Sequence, residues 1–314
     1  MAKSVLSDPR FHSEQAAFVY VEGELWPNGP VCPHCGATAE KIGRLEGVRS
    51  KPSKKNPEGV EQHGLYKCYA CRKQLTVRVG TIFEDSHLPL RMWLQAIHLL
   101  CASKKGISTR QLQRMLGCGM KTAWHLGHRI RGMMAPAANA GPLGGAGKTI
   151  EADDTEIGRS RRPPGFKRST HNVKVLSLVE RGGKLRSVTV DHRGAGLMLR
   201  NLADKESRLV TDKGATFKNL GFASHESVDH SKFEWSRGDV NTNTLEGFFS
   251  VFKRGLIGVY QHVDTKHFDR YLAEFDFRQN TRAKLGINDT QRETLALRGA
   301  AGKRLTYRRT GAEA

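Results

Sequence analysis

Two kinds of metal-binding side chain stand out, thiols in pairs and carboxylates set far apart. Cys32-Pro-His-Cys35 and Cys68-Tyr-Ala-Cys71 are Cys-x-x-Cys pairs with 32 residues between them. Each pair offers two thiolates at turn spacing, and four thiolates complete the tetrahedron that Zn²⁺ prefers. Gly36 suits the tight turn, and the cations Lys67, Arg72 and Lys73 ease thiolate formation. Cys32, Cys35, Cys68 and Cys71 are therefore read as holding one structural zinc, with redox pairs as the alternative. Four cysteines close such a site, which leaves His34 surplus and no position open for catalysis. Cys101 and Cys118 lack the spacing and read as small apolar residues.

The acids need more context. Ile150 and Ala152 alternate with Glu151 and Asp153, so a strand here puts Glu151 and Asp153 on one face and Asp154 on the other. Asp212 ends the apolar run Leu209-Val210, and strand ends are where α/β folds place reactive groups. Glu246, Ser250 and Lys253 share one line of a helix whose other side carries Leu245, Phe248, Phe249 and Phe252. An acid and a cation on one polar line suit a metal-and-phosphate site. Each acid also has a plainer reading. Asn243-x-x-Glu246 fits a helix capping pattern, Asp212 could form a turn with Gly214, and Asp153 could be a surface acid.

The elements that must position these groups divide the chain. Residues 1–85 read as a short helix near Ser13 to Val21 followed by the cysteine region. Residues 86–134 read as helices, residues 135–148 as a linker rich in Gly, Ala and Pro, residues 149–285 as an α/β domain, and residues 286–314 as a basic tail. Strands are expected over 172–180 and 184–190 around Gly182-Gly183, and over 208–212. Helices are expected over 195–203, 244–254 and 267–282.

The net charge is +20, from 51 basic and 31 acidic residues, which points to a polyanionic partner. From Ser86 to Ile150 there are nine Lys or Arg and no acid. Inside that run, Gly106 to Gly117 and Cys118 to Arg131 read as a helix-turn-helix. Ala123, Leu126 and Ile130 face inward, and Lys121, Thr122, His125, His128 and Arg129 lie on the exposed side. The plainer reading is an ordinary helical hairpin. A basic loop, with Arg161, Arg162, Lys167 and Arg168, is expected to follow a DNA backbone. No run approaches the roughly 18 apolar residues of a membrane span, and the polar N-terminus has no signal-peptide core, so a cytoplasmic, nucleoid-associated protein is expected.

Taken together, several segments resemble a known family. They are Trp-Pro-Asn-Gly-Pro-Val-Cys-Pro-His-Cys-Gly at 26–36, Glu-Ala-Asp-Asp-Thr-Glu-Ile-Gly at 151–158 and Leu-Val-Thr-Asp-Lys-Gly at 209–214. Two more are Asn-Thr-Leu-Glu-Gly-Phe-Phe-Ser-Val-Phe-Lys-Arg-Gly at 243–255 and Arg-Tyr-Leu-Ala-Glu-Phe-Asp-Phe-Arg-Gln-Asn at 270–280. The chain resembles the bacterial insertion-sequence transposases that join a zinc ribbon to a DDE domain, a group related to the Merlin transposons.

The resemblance implies an α/β multidomain protein: zinc ribbon and helix-turn-helix, then an RNase H-like catalytic domain. It implies a first acid on the first strand, a second at the end of the fourth and a third on a later helix. These match Asp153, Asp212 and Glu246, with Lys253 as the basic residue that follows the third acid. Some members are described with Asn as the third residue, which would be Asn243. Glu246 is preferred, because a carboxylate binds a divalent cation better than an amide and because it shares a face with Lys253.

The implied activity is cleavage and joining of double-stranded DNA at terminal inverted repeats. It would use two Mg²⁺ ions (Mn²⁺ able to substitute), with Arg254 near the phosphate and a homodimer or larger synaptic complex. The rival expectations are a non-catalytic DNA-binding regulator and another RNase H-like nuclease such as a junction resolvase.

Overall fold

The computed structural model describes residues 4–54, 56–137, 140–158, 173–191, 194–213, 217 and 219–303. The chain divides into two compact units. One comprises residues 1–103, 109–134 and 288–314, and the other residues 104–108 and 135–287.

In the first unit, helix α1 (Glu14–Leu25) begins at Ser13, whose side chain accepts from the Ala16 backbone N–H. A small antiparallel sheet follows, β1 (Ile42–Leu45), β2 (Leu65–Cys68) and β3 (Gln74–Leu75), in that spatial order. Helices α2 (Leu90–Ala102), α3 (Thr109–Leu116) and α4 (Met120–Met134) come next. Gly117 makes the α3–α4 turn in the left-handed region, at φ +61°.

The expected tail from 286 begins instead with a helix, α8 (Asp289–Arg298), closed at its start by a reciprocal Asn288–Gln291 capping box. It packs against α1, α2 and α4. The sequence hides it because half of its buried residues are charged, Arg292 and Glu293 beside Ala296 and Leu297. Glu293 is fully buried and accepts from Arg10 while its Oε2 lies 2.9 Å from His98, and Arg292 donates to the Cys101 carbonyl. An apolar stripe is therefore missing where a helix would ordinarily show one.

The second unit is built on a five-stranded sheet of order β6-β5-β4-β7-β8. Its strands are β4 (Thr149–Ile157), β5 (Val173–Glu180), β6 (Leu185–Val190), β7 (Arg208–Asp212) and β8 (Ser224–Val228). β4, β5 and β6 are antiparallel neighbours, whereas β7 and β8 run parallel to β4. An antiparallel meander extended by parallel strands is the RNase H-like arrangement that the resemblance implied.

Both faces of this sheet are covered. Ile150, Ala152, Leu176, Leu178 and Leu209 pack with Leu199 of helix α5 (Ala195–Leu202). Val175, Val179 and Leu185 pack with the phenylalanines of α6 (Asn243–Gly255) and α7 (Phe268–Asn280). The second half of the expected linker belongs to this unit. Leu143 is buried, its N–H bonds the Leu202 carbonyl and its carbonyl accepts from Asp204.

Edge strand β6 would expose unpaired backbone groups. The segment at 270–280 covers it. Asn280 exchanges two hydrogen bonds with the Leu185 backbone, at 2.7 and 2.8 Å. Asp276 accepts from the Ser187 N–H and hydroxyl.

Candidate active site and metal centre

The ribbon site follows from local turns. In the first knuckle the Cys32 N–H bonds Ala37 O and the Gly36 N–H bonds Cys32 O, with Gly36 at φ +74°. In the second, Arg72 takes the left-handed position and Cys68 N–H bonds Lys73 O. The two turns face each other, with Cys32 Sγ 3.7 Å from Cys71 Sγ and Cys35 Sγ 3.7 Å from Cys68 Sγ. A tetrahedron with Zn–S of about 2.3 Å has edges of about 3.8 Å, so the sulfurs fit Zn²⁺. Backbone N–H groups of Cys71 and Ala70 aimed at its sulfur pull the Cys68 thiol down to about 7. Among the described residues, these four are the one tight group of three or more His, Cys, Asp or Glu ligands, and His34 is outside it.

The acids are assembled from distant segments. The pairing of β4 with β7 runs Thr149 to Arg208 through Ala152 to Thr211, so Asp153 and Asp212 are the next residues along adjacent parallel strands. Ile150, Ala152 and Leu209 point to the α5 face. Pleating therefore turns Glu151, Asp153, Val210 and Asp212 to the α6 face. Asp154 lies on the opposite face, 2.8 Å from Lys174 Nζ.

On α6, Leu245, Phe248, Phe249 and Phe252 are buried while Glu246, Ser250 and Lys253 are exposed, as the periodicity predicted. Burial pushes the Asp153 carboxyl up to about 7, helped by the nearby charges of Asp212, Asp154 and Glu246. The three acids thus share a field, although they are gathered less tightly than the cysteines.

Asn243 is the first residue of α6 and is exposed. The N-cap is Thr242, with no side-chain cap bond, so the capping pattern of Asn243 and Glu246 is not what starts this helix. Glu151 does that work from β4. Its carboxylate accepts from the Thr244 N–H at 3.2 Å and the Thr244 hydroxyl at 3.1 Å. Arg181 holds Glu151 at 2.9 Å and also donates to Asn241 O at 3.0 Å. The alternation of β4 had marked Glu151 as sharing a face with Asp153, but its partners lie 30 and 93 residues away.

His230 was also missed. Its Nε2 lies 3.6 Å from Glu246 Oε1, and its ring stands 5.0 Å from that of Trp235. No local spacing signals this, because β8 delivers it.

The helix-turn-helix residues separate. Lys121 and His125 are exposed and Thr122 is half-buried. Two expectations need correcting. His128 is buried, with its ring 4.1 Å from that of Trp124. Arg129 turns inward, donating to Glu84 O at 2.8 Å and lying over the Trp93 ring. α4 has neighbours on more than one side, α3 together with α2 and α8, so a single inward stripe understates its burial. Arg254 is exposed and its Nε donates back to Ser250 O. Arg161, Arg162, Lys167 and Arg168 lie outside the described residues. No helix among the described residues is long and apolar enough to cross a membrane.

Two family models match the chain. Residues 142–280 match the ISXO2-like transposase domain and residues 12–74 the transposase zinc-ribbon domain. The chain is 26% identical over 305 residues to an uncharacterized protein in transposable element ISH50 of Halobacterium salinarum, covering 88% of this chain and 94% of that protein. A solved pre-cleavage Mos1 transpososome aligns with 66% of this chain and 78% of its own at 12% identity, with a TM-score of 0.23, a likeness too distant to define the fold.

Proposed function

We infer, for a chain that belongs to the insertion-sequence transposases with an N-terminal zinc ribbon, that it binds terminal inverted repeats and cleaves and joins DNA there. The observation that carries this is the meeting of Asp153, Asp212 and Glu246 on one side of the sheet, close enough that burial and its acidic neighbours hold Asp153 up at about 7. Such a set is rich in hard oxygen donors, which fits a divalent cation. Asp153, Asp212 and Glu246 would hold Mg²⁺, two ions in all with Mn²⁺ able to substitute, supplying charge stabilisation to the attacking and leaving oxygens.

The remaining work falls to the chain. Glu151 and Arg181 hold the start of α6, the helix that carries Glu246, against β4. Lys253 and Arg254 offer cations to a phosphate along the Glu246 face, and Asn243 assists at the helix start. The expected chemistry is hydrolysis that frees a 3′-hydroxyl at the element end, then attack of that hydroxyl on target DNA. Lys121, Thr122 and His125 would contact the repeats, and the loop with Arg161, Arg162, Lys167 and Arg168 would follow the backbone. Two ends cut together call for a dimer or larger assembly.

The test is nicking of an inverted-repeat oligonucleotide in Mg²⁺. Wild type should cut it, and Asp153→Asn and Asp212→Asn should each lower the rate at least ~10³-fold, a loss of the size seen for essential catalytic groups. Variants that cut as well as wild type would remove the triad. A regulator without catalysis would instead bind DNA tightly with no dependence on Mg²⁺ or on these acids.

A further inference from the structure

We propose that Phe233 and Trp235 form a platform on which an unpaired DNA base stacks beside the acidic site. This rests on the reading that Asp153, Asp212 and Glu246 cut DNA.

The platform belongs to the segment between β8 and α6. Val228, the last residue of β8, pairs with Asp212, so the chain leaves the sheet next to the second acid. His230 then brings its Nε2 to 3.6 Å from Glu246 Oε1, and Trp235 packs its ring 5.0 Å from the His230 ring at 42°. Trp235 is thus one side chain removed from the third acid. Its own surface is still 56% exposed, and Phe233 is 82% exposed.

The exposure is held in place. Phe233 sits at φ 61°, ψ 20°, a left-handed conformation unfavourable for an aromatic residue. The turn around it is pinned several times. Asp229 accepts from the Ser231 N–H and hydroxyl and from Lys213 Nζ, and Glu234 accepts from the Asp229 N–H. Phe233 N–H bonds His230 O, and Glu234 N–H bonds Asp229 O. A fixed turn that displays two large rings to solvent, at a backbone cost, points to a partner for them.

The surroundings favour a base over a protein surface. The two rings are not a continuous apolar patch. Exposed Ser231, Lys232, Ser236 and Arg237 flank them, and Glu234 between them is turned to the Asp229 N–H and lies 3.7 Å from Arg237. Aromatic faces among cations are how single-stranded nucleic acid is held, because every base has a π-face and every linkage a negative charge.

The probe is a short duplex whose end is forked into unpaired thymines, one of them 5-iododeoxyuridine. Irradiation of its complex with the full chain should cross-link Phe233 or Trp235. Phe233→Ala and Trp235→Leu should each bind the forked duplex ~10-fold more weakly, with binding of the blunt duplex kept. Trp235→Phe, which retains a ring, should recover most of the loss, and the wild-type cross-link stands even if one variant folds poorly. A cross-link that maps elsewhere, an equal loss for both duplexes, or an altered oligomeric mass with DNA binding intact would overturn the proposal, the last in favour of a protein contact. Acid-dependent nicking without this cross-link removes the platform and leaves the triad. The cross-link without acid-dependent nicking does the reverse.

Discussion

The ribbon cysteines and the three acids proposed to hold Mg²⁺ are both anionic sets, yet they are built in opposite ways. The ribbon takes two ligands from each of two tight turns and closes, with sulfurs 3.7 Å apart across the pairs. The acidic site takes one residue from each of β4, β7 and α6 and stays open enough that Glu246 is exposed. A closed tetrahedron can only hold the fold together. An open set of carboxylates drawn from β4, β7 and α6 would leave room for a substrate oxygen, at the cost of charges that repel one another in the folded chain. The lesson is that ligand removal should have opposite signs in the two places.

The largest effect belongs to the ribbon. Structural zinc contributes on the order of 10 kcal/mol in small domains. Cys68→Ser should therefore abolish the single bound zinc and the melting transition of the ribbon, while the transition of the other unit persists. Zinc analysis and calorimetry on the same sample would check it. A variant that keeps its metal and its ribbon transition would mean that the four sulfurs are not the zinc site.

Next in size is the brace. Glu151 is 2% exposed and carries both Arg181 and the start of α6. Glu151→Ala takes the closest acid from a half-buried guanidinium, leaving it Asn241 O and Asp239, and uncaps a helix, which should cost roughly 3–5 kcal/mol. Chemical denaturation measures that cost. Single-turnover nicking of the fraction that stays folded should also be slowed, because Glu246 loses its register with Asp153. An unchanged rate in folded protein would reduce Glu151 to a purely structural role.

How much of this was legible follows from distance along the chain. The ribbon could be read completely, since each knuckle is four residues long. The stripe of α6 and the alternation of β4 were equally local, and they selected Glu246 and Asp153. The pairings of Glu151 with Arg181 and Thr244 and of His230 with Glu246 escaped because they span 30, 93 and 16 residues and depend on strand order. β8 escaped because Ser-His-Glu-Ser-Val is a polar edge strand with one buried residue. α8 escaped because it buries Arg292 and Glu293 beside only two apolar residues, Ala296 and Leu297. Patterning reveals faces, and it cannot reveal which remote groups meet on them.

Asp276 sharpens the comparison from inside the unit that holds the acids. Burial lifts its carboxyl to about 7, the same value as Asp153, although its hydrogen bonds from Ser187 pull the other way. An unfolded aspartate titrates near 3.9. The folded chain therefore takes up this proton first, and the contribution to stability is fully present below about pH 4 and is lost as pH rises through 7. Between those limits the unfolding free energy should fall by roughly 2–4 kcal/mol on account of this group. Asp276→Asn, which can still accept from the Ser187 N–H, should flatten that part of the profile. Urea titrations at several pH values on both proteins would show it, and parallel profiles would refute the assignment.

The smallest effect is the one that separates the two sites most sharply. Asp153→Asn removes a charge held among Asp212, Asp154 and Glu246 while keeping an oxygen for the Asp154 N–H, which is 2.7 Å away. Metal-free protein should become more stable by about 1–2 kcal/mol, because a like charge is gone from a partly buried site. Wild type should recover the difference when Mg²⁺ is added, since a ligand at 100 times its Kd contributes about 2.7 kcal/mol. The variant should respond far less. Thermal melts with and without Mg²⁺ give all four values. A lower melting temperature for the metal-free variant would place Asp153, like the ribbon cysteines, among the residues that hold the fold together.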